Sequence, residues 1–85
     1  MAEGVYSNFK SFEDTLTGAI TLVFSWRPRS ITIVNDSSSA DLKFKFNASE
    51  DFATLKAGET VNPDLRSRQV YLSATDATYR VWGVG

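Results

Sequence analysis

The sequence predicts an all-β fold: a small antiparallel β-sandwich or jelly-roll-like barrel with an extended N-terminal arm. Three observations lead there. From Ile20 onward, short runs rich in Val, Ile, Thr, Phe and Tyr are separated by clusters of Asp, Ser, Asn, Gly and Pro, the pattern of strands joined by turns. Leu42, Phe44 and Phe46 alternate with Lys43, Lys45 and Asn47 at a period of two, which gives one strand face to a core and the other to water. The 85 residues suffice for one domain and no more, and six or seven strands of this length close a small sandwich or open barrel.

The elements follow in order. Ala19 to Ser25 is the first apolar run, ended by Arg27-Pro28-Arg29, where proline removes a ladder donor and fixes a bend. Ser30 to Asn35 places Ile31 and Ile33 on one face, and Asn35-Asp36-Ser37-Ser38-Ser39 is a polar turn whose side chains bond their own backbone. Asp41 to Asn47 is the clearest strand. Phe52 to Leu55 is a short one, and Ala57-Gly58-Glu59 reads as a tight turn in which glycine supplies a positive φ. A brief strand over Glu59 to Val61 then meets the breaker Asn62-Pro63-Asp64. Gln69 to Ala74, with Val70, Leu72 and Ala74 inward, and Thr78 to Val84 read as a hairpin turning over Thr75-Asp76-Ala77,.

The first 18 residues divide from the rest, giving an arm over 1–18 and a sandwich over 19–85. Val5, Phe9, Phe12 and Leu16 fit a helical spacing, while Tyr6, Asn8, Lys10 and Phe12 alternate as on a strand, so periodicity leaves helix, strand and extended arm all open. Three aromatics, Tyr6, Phe9 and Phe12, lie among polar residues like anchors for another surface. The other reading has the segment folding back to cap its own sandwich.

Composition removes several kinds of chemistry. With no cysteine and no histidine, the chain has no disulfide, Cys/His zinc site, thiolate nucleophile or imidazole base. Its ten carboxylates lie mostly in turns, and no glycine-rich phosphate loop or EF-hand spacing is present. The expectation is therefore no enzyme, no cofactor and no metal. A net charge of −1 provides no long-range pull toward phosphate backbones or anionic lipid, so no nucleic acid and no membrane partner is expected. Nor does the N-terminus open with the basic and apolar stretches of an export signal. By size scaling, so small a fold hides only about 63% of its extended-chain surface, and without cross-links it gains most by packing on copies of itself or on a larger assembly.

Binding residues are then sought among aromatics and arginines. Arg27/Arg29 and Arg66/Arg68 are pairs spaced two apart, each able to project to one side of an extended segment and grip a carboxylate. Trp82 shares a strand face with Arg80 and Val84, and Arg with Trp is a common interface pairing. The candidate interface is Tyr6, Phe9, Phe12, Arg27, Arg29, Arg66, Arg68 and Trp82. An alternative is a carbohydrate- or receptor-binding module, with Trp26, Tyr71 and Trp82 as stacking platforms.

The runs Ser30-Ile31-Thr32-Ile33-Val34-Asn35-Asp36-Ser37, Leu55-Lys56-Ala57-Gly58-Glu59-Thr60, Val70-Tyr71-Leu72-Ser73-Ala74 and Tyr79-Arg80-Val81-Trp82-Gly83-Val84-Gly85 give residues 20–85 a resemblance to small virion proteins of tailed bacteriophages. The resemblance implies a compact sandwich that serves as capsid cement or decoration, or as part of a tail or fibre. It also implies a homo-oligomer, a trimer, bound to the major capsid protein or another virion structural protein, with the arm lying across neighbouring subunits. Such a protein is made in the bacterial host cytoplasm and resides in the virion.

Overall fold

The computed structural model describes residues 8–85. Six strands, all paired antiparallel, account for the secondary structure of these residues: β1 (Phe9–Val23), β2 (Ser30–Asn35), β3 (Leu42–Lys45), β4 (Ala53–Leu55), β5 (Thr60–Val61) and β6 (Gln69–Val84). They form a single sheet nearly closed into a barrel, the all-β class expected.

β6 is the spine. Along one edge it pairs with β1 from Phe9↔Val84 to Val23↔Gln69. Its other edge carries β2 over residues 79–84 and β3 over residues 71–73, with β5 and β4 added outside them. Two half-sheets therefore share the β1–β6 ribbon, and the ribbon bends between them. The bend is written in the register: Leu16 faces Ala77 and Gly18 faces Ala74, so Thr75 and Asp76 together oppose Thr17, a β-bulge on β6. Gly18, at φ 114°, takes a conformation that a side chain would strain.

The bulge explains the burial pattern. Before it, Val70 and Leu72 point inward; after it, Ala77, Tyr79 and Val81 do, because one extra residue exchanges the two faces of the strand. Folding at the bend brings the inner faces of both halves into one core of Leu16, Ile31, Ile33, Tyr79 and Val81 with Leu22, Phe24, Leu42, Val70 and Leu72. Phe12 and Phe24, each six positions from Gly18, meet edge to face at 5.5 Å. Gly83 fits the same contact: a Cβ there would lie 2.8 Å from Phe24 Cε1 and from Pro28 Cγ.

Asn35 is the one fully buried polar residue among those described, and it locks the halves together. Its Nδ2 donates to the Ala40 carbonyl at 2.8 Å and to the Leu55 carbonyl at 2.9 Å, while its Oδ1 accepts from Ser37 N–H at 3.0 Å. Its backbone N–H donates to the Glu59 carbonyl, and its carbonyl accepts from Gly58 N–H. Every polar group of the residue is used, as burial requires.

Three expectations need correction. Residues 9–18 are no separate arm: they belong to β1, and the boundary at 18 falls on the bend inside that strand. Residues 1–7 of the expected arm, Tyr6 included, lie outside the described residues. Thr75-Asp76-Ala77 is no hairpin turn, since β6 runs unbroken from Gln69 to Val84, with Thr75 and Asp76 absorbed as the bulge and Ala77 paired with Leu16. The strand expected over Asp41 to Asn47 is shorter, Leu42–Lys45, because Asn47 turns its side chain on Ser49 N–H. Leu42 is fully buried there, whereas Phe44 and Phe46 pack against the rim of the core.

Candidate functional site

Folding the ribbon at Gly18 carries both ends of β1 to the same end of the sandwich, opposite the bulge. Asn8 to Lys10 and, far along the chain, Val23, Ser25 and Trp26 consequently line one cleft of about 410 Å³. Its walls mix Asn8, Lys10 and Ser25 with exposed apolar side chains: Phe9 is 60% exposed and Val23 is 55% exposed. Neither side chain enters the core, because the odd-numbered residues of β1 face away from it while Leu16, Leu22 and Phe24 fill it. Trp26, also of this wall, rests edge to face on Phe24 at 5.6 Å. Its indole N–H is buried without an acceptor among the described residues, an unmet need worth about 1–3 kcal/mol.

Val23 is shared with a second cleft of about 440 Å³, lined also by Arg27, Arg66, Ser67, Arg68 and Gln69. Here the loop after β1 and the loop before β6 run side by side, tied by Phe24 N–H donating to the Arg68 carbonyl at 2.8 Å. Arg68 Nη2 reaches the Ser25 carbonyl at 3.3 Å. The ion pairs among the described residues are Lys56 with Asp41 and Arg80 with Asp36. None engages these three arginines. Three guanidiniums around one cleft repel each other, and their fork geometry matches carboxylate or phosphate oxygens.

The remaining predicted residues separate from this site. Arg29 donates its backbone N–H to the Val84 carbonyl and lays its aliphatic stem along Gly85. It does not line the arginine cleft. Phe12 is no free anchor: it is partly buried, packs against the core and touches Phe24. Trp82 sits on the outer face of β6 with Arg80 5.9 Å from its ring centroid. Arg80 in turn holds Asp36 through two bonds of 2.6 and 3.0 Å, and that carboxylate holds the guanidinium in its charged form, raising its pKa. Tyr71, another suggested stacking platform, has Lys45 Nζ at 5.6 Å.

The structure thus unites Phe9 with Arg27, Arg66 and Arg68 and adds Val23, Trp26 and Lys10, which the sequence reading left out of the interface. For Val23 a signal existed, since it alternates with Leu22 and Phe24 and must face away from them. Compared with known proteins, the chain matches no family model, no curated protein and no solved structure.

Proposed function

We propose that the chain is a non-enzymatic assembly protein whose open end docks on a larger structural protein. The observation that carries this reading is the adjoining pair of clefts: one that presents exposed Phe9 and Val23 beside one ringed by Arg27, Arg66 and Arg68. Apolar contact surface flanked by arginine is the composition of protein interfaces. The partner surface that fits it bears an apolar side chain followed by carboxylates. The resemblance of residues 20–85 to tailed-phage virion proteins supplies the setting, a capsid that the chain cements or decorates together with copies of itself. The carbohydrate reading is weaker, because the rings of Trp82 and Tyr71 already carry Arg80 and Lys45.

Co-sedimentation tests the reading. The chain is expected to travel with large particles on a density gradient, and Phe9→Ala or a combined Arg27→Glu, Arg66→Glu, Arg68→Glu variant is expected to stay at the top with an unchanged β-type circular dichroism spectrum. A central anchor costs about 2 kcal/mol or more on truncation, a loss of affinity of roughly thirtyfold. Full particle occupancy for both variants would remove the open end from the account.

A further inference from the structure

Among the described residues β1 is paired on one edge only, with β6. Two hydrogen bonds at its ends decide which backbone groups that leaves over. Gly85 N–H donates to the Asn8 carbonyl at 3.0 Å, and Phe24 N–H donates to the Arg68 carbonyl at 2.8 Å. In an antiparallel ladder both groups of a residue point to the same side, and successive residues alternate. The even-numbered residues of β1 therefore face β6, and the odd-numbered ones face outward. Thr15 agrees: its outward N–H is taken by the side chain of Asp14 at 2.8 Å. That bond blunts the edge on the near side of the bend.

Beyond the bend none of the described residues blunts it. Ala19, Thr21 and Val23 turn N–H and C=O away from β6, and no other strand of the described residues pairs with them. Folded proteins protect such edges with charge, proline or a bulge, yet residues 15–26 contain no charged side chain and no proline. Ile20 is 39% exposed and Val23 55% exposed.

We propose that Ala19–Val23 pairs antiparallel with the same segment of a second copy of the chain, about a two-fold axis at Thr21. The register is Ala19 opposite Val23, Ile20 opposite Leu22 and Thr21 opposite Thr21. Each outward-facing residue then finds an outward-facing partner and forms both bonds of a hydrogen-bonded pair. An isologous contact sets a segment against itself, so any charge near the axis would meet its like at close range. A segment with no charge meets no such penalty, and this favours a second copy over a strand of another protein. Side-chain size fits as well: Val23 lies against the small Ala19, and Ile20 covers Leu22 at the margin of the core. The contact closes at two copies, in contrast to the trimer implied by the resemblance; it shares Val23 with the arginine-lined end and uses none of the three arginines.

The test is the solution mass of the full chain by sedimentation equilibrium. Wild type is expected at twice its 9.4 kDa. Thr21→Lys and Thr21→Glu, whose backbone bonds do not enter the β1–β6 ladder, are each expected to weaken the dimer on the order of tenfold or more, with unchanged circular dichroism. Mixing the two in equal amounts is expected to restore dimers, because Lys then faces Glu across the axis. Thr21→Cys adds a lone thiol to a chain without cysteine; opposed Cα atoms about 5.5 Å apart allow a disulfide, so oxidation is expected to yield covalent dimers rapidly. Thr54→Cys, on exposed β4, is the slow control. A monomeric or trimeric wild type, an unchanged mass for Thr21→Lys, no recovery on mixing, or equal cross-linking of the two cysteine variants would each overturn the proposal.

Discussion

Replacing Asn35 by alanine probes the joint between the half-sheets. The side chain provides three hydrogen bonds, to the carbonyls of Ala40 and Leu55 and from Ser37 N–H. Each is worth about 1 kcal/mol net, and more where truncation strands a buried partner. The Leu55 bond is buried, so the loss sums to about 3–4 kcal/mol. A domain of this size has roughly 4–13 kcal/mol to lose. With a urea slope near 1 kcal/mol/M, the midpoint is expected to fall by about 3 M with no change in slope. Asn35→Asp sharpens the test. Its carboxylate would face two carbonyl oxygens in a buried site, so the folded state favours the protonated acid and its pKa rises. The folded form then binds more protons than the unfolded, and the variant is expected to recover stability as pH falls toward about 4. A loss under about 1 kcal/mol for the alanine variant, or an aspartate variant indifferent to pH, would refute the claim that this carboxamide joins the halves.

Other consequences concern the packed rings and one phenol. Gly83→Ala places a methyl 2.8 Å from Phe24 and Pro28 and is expected to cost about 1–3 kcal/mol, read as an earlier urea midpoint; a neutral or stabilising result would show that the Phe24 contact yields freely. Phe12→Ala is expected to lower thermal stability by about 2 kcal/mol through the loss of the Phe24 contact, where a free anchor would leave the isolated domain unchanged. Tyr79 has its phenol pKa raised by burial, with a smaller push from the Asp14 carboxylate. Its stabilisation is complete below the unfolded value of about 10 and is lost as pH rises toward the higher folded value. Tyr79→Phe is therefore expected to flatten the alkaline limb of a stability profile above about pH 10; an unchanged limb would assign it to other groups.

What was legible in the sequence was local. Alternation placed Leu42 and the Ile31/Ile33 pair correctly in the core, and Gly58 indeed takes φ 80°. Its turn is closed by Glu59 N–H on the Lys56 carbonyl and Lys56 N–H on Glu59 Oε1. Of β1 the run from Ala19 was read as a strand, but its continuity back to Phe9 escaped, because the stretch before Gly18 is an edge strand with only Leu16 buried and lacks the alternation that marks a covered strand. The bulge escaped because Thr75-Asp76 has the composition of a turn; only the register with Thr17 makes it an insertion within a ladder. The arginine cleft joins Arg27 to Arg66 and Arg68, about forty residues apart in the chain, a proximity set by the β1–β6 register that puts Val23 opposite Gln69 and not by any spacing. Arg29, two residues from Arg27, was diverted toward the chain end by the bond of its own N–H to Val84.

The docking role of the open end is tested most directly by photo-cross-linking from single positions in the cells that make the protein. A photoreactive residue at Phe9 is expected to yield one dominant adduct with a larger structural protein, attached beside an acidic stretch, while the same residue at Thr54 yields none. Equal labelling from both positions, or adducts from Phe9 with no common partner, would contradict it.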